Sequence, residues 1–260
     1  MSGKVTVIGG SAASVGTGQG CASYLVSDGS TNLVLDAGPG TLQELRKHVD
    51  FRTLDAVVIS HLHVDHMLDV IAMRFSLAYN PVKPGRKTPL WLPPGGKAFF
   101  QKLAETFAAD GEPDDFFGGV FDLAEYDPNG TVKVGGVTLS FQPTVHFIPC
   151  WAVRVHTDHG DLAYTADTGP SADLGPFLEG IKVVIAEAAT PERTKSALPF
   201  EKRGHLTATE AATLAVEAGA ETLVLTHMFE ENDPSVSLAE AATVFDGQLV
   251  HARPGVHVTW

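Results

Sequence analysis

The stretch SHLHVDHM, positions 60–67, brings His61, His63, Asp65 and His66 together directly after the apolar residues Val57, Val58 and Ile59. Polar side chains of this kind add little to a core and are costly to bury unless something satisfies them. Imidazole nitrogens and a carboxylate oxygen, with no thiolate among them, are a donor set for Zn²⁺ and, less selectively, for Mn²⁺, Fe²⁺ or Ni²⁺. In extended backbone His61 and His63 point to the same side, because side chains alternate with period two. Asp65 and His66 follow where the chain turns into a helix, and can face the same point from the other side. Four donors this close cannot all serve one tetrahedral ion without strain. The cluster therefore predicts two divalent ions, each taking part of it.

Two ions need further donors, and three positions offer them. His146 follows a strand in PTVHFIPCW, Asp167 ends the strand YTAD, and His227 ends the strand LVLTH. All three stand at the C-terminal edge of an expected strand, as the cluster does, so they can converge on one edge of a sandwich.

The positioning elements follow from periodicity. Apolar and alternating runs predict strands at 4–8, 22–27, 32–36, 56–60, 90–92, 152–156, 162–166, 183–186, 221–226 and 248–251, with a strand pair or one long bulged strand at 132–141. The turn Ser27-Asp28-Gly29-Ser30 predicts a hairpin. Helical spacing predicts helices at 41–49, 65–78 and 97–109. Thr207-x-x-Glu210 reads as a capping box for a helix closed at Gly219, and Ser237-x-x-Glu240 as the cap of a last helix. LVLDAGP at 33–39 is echoed by YTADTGP at 164–170, each a strand ending in Asp-x-Gly-Pro. The next buried strand ends at His61 in one case and at Glu187 in the other. Two similar halves, strands first and helices after, predict an α/β (α+β) sandwich with helices outside two sheets, in one domain spanning 1–260.

Composition removes several function classes. With 44% hydrophobic and 19% charged residues, a 260-residue chain is an ordinary globular protein with ample core. Its apolar runs are strand-sized, far short of the ~20 residues that cross a bilayer. The opening MSGKVTVIGG enters a strand pattern without an export signal, so the cytoplasm is the expected location. A net charge of −13 argues against a broad nucleic-acid-binding face, although Arg193, Lys195, Lys202 and Arg203 offer a local basic patch. Cys21 and Cys150 are expected to be buried and reduced. Gly16-x-Gly18-x-Gly20 mimics a dinucleotide fingerprint, but the spacing is wrong and a strand follows where a helix is required.

SHLHVDH matches an H-x-H-x-D-H motif, and in this the chain resembles the metallo-β-lactamase superfamily over nearly its whole length. LVLDAG is similar to the first motif of that family, with Asp36 a structural acid near the site. His146, Asp167 in YTADTG and His227 in LTHM are similar to its later ligand motifs. The resemblance implies a four-layer αββα sandwich. It also implies that His61, His63 and His146 bind one ion, that Asp65, His66 and His227 bind the other, and that Asp167 bridges them. Asp167 stands where zinc β-lactamases carry a cysteine, which argues against antibiotic hydrolysis. His63 stands where flavodiiron reductases carry a glutamate, which argues against redox chemistry.

The stretch RGHLTATEAA, 203–212, resembles the His-x-Thr motif of ribonuclease Z and related phosphodiesterases, and implies that His205 reaches the scissile phosphate or the leaving oxygen. Two adjacent cations would turn a bridging water into hydroxide near neutral pH and absorb charge on a phosphoryl group. Asp65 would orient that hydroxide, and a protonated His205 would assist the departing alkoxide. Ribonuclease Z proper grips tRNA with a long Gly/Pro-rich arm, and the spacing from Ala152 to His205 holds no such insertion. VTVIGGSAAS followed by CASYLV looks closest to the armless members that act on small substrates. The expected activity is therefore a phosphodiesterase on a small or cyclic nucleotide-type phosphodiester. The alternatives are tRNA 3′ processing, and lactone, ester or thioester hydrolysis on the same metals. Lactonases of the superfamily use a tyrosine beside the metals, and sequence alone does not locate Tyr24, Tyr126 or Tyr164. A homodimer is expected from the resemblance only. Two smaller expectations complete the reading: Trp91, Phe147 and Trp151 line a pocket near His146 or pack in the core, and 110–119 forms a flap or an ordinary loop.

Overall fold

The computed structural model describes residues 2–108 and 113–260. Its strands form two sheets on one plan, three antiparallel pairings followed by three parallel ones. The first sheet runs His257–Thr259, Gly3–Ser11, Ser23–Asp28, Thr31–Leu35, Ala56–Val58, Thr88–Leu92 and Phe121–Glu125, with Gly20–Cys21 paired to Gly3–Ser11 off that path. The second runs Thr131–Val134, Val137–Pro143, Trp151–His156, Leu162–Tyr164, Val183–Glu187, Thr222–Thr226 and Gln248–His251. Pairing switches from antiparallel to parallel at Thr31–Leu35 in one sheet and at Leu162–Tyr164 in the other. These are the two strands that lead into Asp-x-Gly-Pro, so the echo in the sequence marks equivalent points of two similar halves.

Side-chain alternation sorts each strand between two cores. Leu33 and Leu35 enter the core between the sheets, while Val34 packs under helices on the outer face. Val183 and Ile185 face inward, and Val184 and Ala186 outward. Strands covered on both faces read as unbroken apolar runs, hence VVI in both halves. Outside the first sheet, Asp69–Tyr79, Gly96–Phe107 and Pro113–Gly118 contribute Val70, Met73, Leu77, Phe100, Phe116 and Phe117. Outside the second, Ala208–Ala218 contributes Ala208, Ala211, Ala212, Ala215 and Ala218, an i, i+3, i+4, i+7 stripe small enough to bring the helix close. Helices thus flank two stacked sheets, the αββα arrangement.

Several boundaries differ from expectation, each for a local reason. The helix expected at 65–78 is Val64–Met67 and Asp69–Tyr79, because the Asp69 N–H donates to Ala37 O at 2.9 Å instead of continuing the helical ladder. The last helix is Pro234–Ala241 and not one opened at Ser237. Asp233 accepts from Ser235 N and Pro234 takes the first helical position, so Ser237 lies inside the helix. The helix expected at 41–49 is helical only over Thr41–Leu45. Residues 132–141 form a strand pair turned at Gly135, which adopts φ +54°. The capping box stands as expected: Glu210 N donates to Thr207 Oγ1, Thr207 N donates to Glu210 Oε2, and Gly219 closes the helix at φ +69°.

Of the segment 110–119, residues 110–112 lie outside the described ones, and Pro113–Gly118 is a helix with Phe116 and Phe117 buried. That part packs into the core and is no flap. After Gly16-x-Gly18-x-Gly20 comes strand, as the spacing required. Among the described residues no helix is long and apolar enough to cross a membrane.

Candidate metal centre

The two Asp-x-Gly-Pro loops do matching work at the same edge of the sandwich. A Cβ on Gly38 would lie 1.9 Å from Asp65 O, and one on Gly169 would lie 1.7 Å from Arg203 O. Glycine therefore lets the first loop press against the HLHVDH segment and the second against the RGH segment. The Ala37 N–H donates to His66 O at 2.7 Å, and the Gly169 N–H to Val145 O at 2.6 Å, next to His146. At the strand ends Asp36, Ala166 and His227 adopt φ of +57°, +52° and +52°. Left-handed backbone costs a non-glycine residue on the order of 1 kcal/mol, and here it collects where polar side chains must converge.

The seven expected donors do converge, in two sets that share Asp167. In the first, His63 Nδ1 lies 3.2 Å from His61 Nε2 and 3.0 Å from His146 Nε2. Asp167 Oδ2 is 3.7 Å from His61 Nε2 and 3.6 Å from His146 Nε2. In the second, His66 Nε2 and His227 Nε2 are 3.3 Å apart, and each faces Asp65 Oδ2, at 3.6 and 3.2 Å. Asp167 Oδ1 lies 3.3 Å from His66 Nε2 and 3.6 Å from His227 Nε2. Ligand atoms ~2.0–2.1 Å from a zinc ion lie roughly 3.3–3.4 Å apart at tetrahedral angles, so these edges are of the right length.

Hydrogen-bond partners decide which nitrogens carry protons. Asp36 Oδ2 and Gly204 O can only accept, so His66 Nδ1 and His146 Nδ1 donate to them, at 2.7 and 2.9 Å. Ser60 donates its hydroxyl to Asp36 Oδ2, which leaves its oxygen to accept from His61 Nδ1 at 3.0 Å. The neutral forms of all three histidines then turn lone pairs into the centre, in the manner of metal-bound histidines oriented from behind. Asp167 Oδ1 is buried and accepts no hydrogen bond. Imidazole lone pairs and an orphaned carboxylate oxygen facing one another fit divalent cations better than any hydrogen-bond scheme.

Electrostatics agree with that donor set. Burial holds His61 well below its ordinary pKa and lowers His63 and His146 too, which favours the neutral rings that a metal ion would need. Burial would raise Asp65 and Asp167, but the surrounding histidines outweigh it and hold both carboxyls below their usual range. His66 goes the other way: burial opposes its charge, yet the carboxylates of Asp167 and Asp36 push it well above its ordinary value. The acids that would charge His66 would also hold a cation.

A family model described as a beta-lactamase superfamily domain matches residues 31–228, from the first Asp-x-Gly-Pro strand to the residue after His227. The chain belongs to that superfamily. The probable metallo-hydrolase YhfI of Bacillus subtilis is 29% identical over 257 residues, which cover 97% of this chain and 98% of its own. The crystal structure of YhfI superposes with a TM-score of 0.87 over the full length of both chains at 27% identity. The short form of human tRNase Z gives 0.75 at 17% identity, and a diphosphatase of the PhnP family 0.74 at 19%, each covering 98% or more of both chains. At such identities these two bear on the fold alone, and they agree with the metallo-β-lactamase sandwich described above.

His205 joins this superfamily centre at its mouth. Its ring lies 5.0 Å from that of His146 and 5.6 Å from that of His227, and its side chain keeps 24% exposure. Behind it stands Glu187, a residue that motif reading passed over. This wholly buried carboxylate accepts from His205 Nδ1 at 2.8 Å and from the N–H groups of Thr168 and Ala189 at 2.9 and 3.0 Å. Desolvation would lower His205, but the charge and hydrogen bond of Glu187 overcome it and raise its pKa to about 9. The available signal was the repeat itself, since VVIAE ends where VVISH ends in the first half.

The remaining expectations resolve by burial. Tyr24, Tyr126 and Tyr164 are buried, with hydroxyls bonded to Thr226 Oγ1, to the carbonyls of Ile59 and Ser60, and to Asp36 Oδ2. Trp151 and Trp91 pack with the core between the sheets, and only Phe147 stays at the mouth. Of the expected basic patch, Arg203 is buried against Glu210, Lys195 pairs with Glu192, Arg193 binds Asn232, and Lys202 is exposed. Cys21 and Cys150 are free and buried, and burial pushes the Cys21 thiol up to about 12.

Proposed function

We propose that this protein is a dinuclear metal-dependent hydrolase, a phosphodiesterase acting on a small or cyclic nucleotide-type phosphodiester. The observation that carries the reading is the Glu187–His205 pair, an imidazole kept protonated beside a nest of metal donors. His61, His63 and His146 would hold one ion, Asp65, His66 and His227 the other, with one Asp167 oxygen for each. A nitrogen-rich set suits zinc, and manganese, iron or nickel can use the same donors. Such ions, when bound, acidify water toward hydroxide near neutral pH and offset charge on phosphoryl oxygens.

The chain's own residues supply the rest. Asp65, fixed through Oδ2 by the Ala13 N–H at 2.9 Å, is available to orient the attacking water. His205, with Nδ1 engaged by Glu187, can donate from Nε2 to a phosphoryl oxygen or to the departing alkoxide, and so spare the leaving group its charge. Asp36, Gly204 O and Ser60 hold His66, His146 and His61 in orientation from behind.

A small substrate is favoured over precursor tRNA. Between 151 and 205 the chain forms Trp151–His156, Leu162–Tyr164, Gly175–Leu178, Val183–Glu187 and 3₁₀ turns at Glu192–Ala197 and Phe200–Lys202, a sequence of short elements with no long Gly/Pro-rich insertion. Three of the four cations expected to form a patch nearby are paired, Lys195 with Glu192, Arg193 with Asn232 and Arg203 with Glu210, which leaves Lys202 for a nucleic-acid backbone. Lactone chemistry is disfavoured because the hydroxyls of Tyr24, Tyr126 and Tyr164 are engaged in the interior. Incubation of the zinc-loaded protein with bis(p-nitrophenyl) phosphate, a γ-lactone and an acyl thioester tests the reaction class. The phosphodiester is expected to turn over fastest, and hydrolysis of the lactone or thioester alone would refute the reading.

A further inference from the structure

Phe147 directly follows His146 and is 61% exposed as a residue, while the side chain of His146 is buried. Its ring centroid lies 5.1 Å from that of His146 and 5.7 Å from that of His205, with the planes inclined by 50° and 64°. Gly204 fixes this seat: a Cβ there would fall 2.8 Å from ring atoms Cε2 and Cζ. Single exposed apolar residues are ordinary on protein surfaces. This one is held against the two imidazoles that would flank a bound phosphodiester, close enough for one substrate to reach all three. Trp91 and Trp151, the other aromatic groups expected near His146, are taken into the inter-sheet core.

We propose that Phe147 is the floor of a subsite for a flat ring, so that this centre favours a phosphodiester whose esterified sugar carries a nucleobase. The subsite rests on the phosphodiesterase reading. Every base has a π-face, and stacking on an aromatic side chain is tolerant of base identity. Ile148 and Pro149, which follow in the chain, bring no polar side chain to read a base edge. The platform therefore selects nucleotides as a class and not one base among them.

Calorimetric titration of the zinc-loaded protein with adenosine 5′-monophosphate and with ribose 5-phosphate separates the ring from the phosphate. The nucleotide is expected to bind more tightly, and Phe147→Leu to weaken it about tenfold, the size that loss of base–aromatic stacking gives. Ribose 5-phosphate should be unaffected by that change, and Phe147→Trp should restore nucleotide binding. Equal affinity for the two ligands, or equal weakening of both by Phe147→Leu, overturns the subsite whether or not any phosphodiester is cut. Turnover of bis(p-nitrophenyl) phosphate by the same preparation reports separately on the phosphodiesterase reading.

Discussion

Asp36 and Asp167 end equivalent strands of the two sheets, yet one is saturated with hydrogen bonds and the other is not. Asp36 accepts from Ser60 N, Ser60 Oγ, His66 Nδ1 and Tyr164 OH, all within 2.7–2.8 Å. Asp167 is equally buried, but its Oδ1 accepts none and faces the nitrogens of His66 and His227. Of two matching loops, one carries a support for the neighbouring histidine and serine, and the other carries the carboxylate proposed as a ligand.

That contrast makes Asp36→Asn a defined perturbation. An amide cannot accept on both of its ends, so a buried donor from Ser60 or His66 loses its partner. A loss of about 2–4 kcal/mol in unfolding free energy is expected. Metal affinity should fall about 10–100-fold, because His66 is no longer oriented from behind. Urea unfolding and competition with a chromogenic chelator measure the two effects.

Metal removal should destabilise the protein as well as inactivate it. A ligand at about 1,000 times its dissociation constant stabilises a fold by about 4 kcal/mol, which corresponds to a melting shift on the order of 10 °C for a chain of this size. Differential scanning calorimetry with and without chelator, beside elemental analysis, checks this. The expected content is two ions per chain, reduced by Asp167→Asn.

The Glu187–His205 pair sets a pH dependence of known sign. His205 has a folded pKa near 9, above its ordinary 6.5, so it stays protonated through neutrality. Its contribution to stability is complete below about 6.5 and is lost as pH rises through about 9. Glu187→Gln removes the charge that holds the proton. The alkaline limb of the kcat profile should then move to lower pH by about 1 unit or more. A variant whose limb stays in register with wild type would rule out this coupling.

Gly169→Ala and Gly38→Ala test the matching loops. Neither backbone carbonyl, Arg203 O or Asp65 O, can yield without carrying a site residue with it. Gly169→Ala should displace His205 and lower kcat by up to about 10²-fold, the scale of a 1 Å misplacement. Gly38→Ala should disturb Asp65 and His66, and be read first as lost metal. Circular dichroism and metal content separate the two outcomes.

The convergence of the proposed metal donors was legible because each is out of character for its position: an imidazole or carboxylate where an apolar strand ends. Asp36 and His205 needed the family resemblance, since one acid after a strand or one histidine before a helix says little alone. Glu187 was missed because a single glutamate ending VVIAE looks like a surface acid until its partner across 18 residues is known. Ser237 misled because Asp233-Pro234 offers a stronger helix start that the Ser-x-x-Glu pattern hid. The strands Phe121–Glu125 and His257–Thr259 went unread: the first is an edge strand mostly open to solvent, with acids at Asp122 and Glu125, and the second is three residues long.

Hydrolysis of a 3′,5′-cyclic nucleotide against a short 3′-extended precursor tRNA, by metal-loaded wild type and His205→Ala, tests the central claim most directly. The account predicts turnover of the cyclic nucleotide, reduced about 10²–10⁴-fold in the variant, with the RNA left intact. Cleavage of the RNA alone would contradict the small-substrate reading. No cleavage of either by a protein that holds two metals would contradict phosphodiester chemistry altogether.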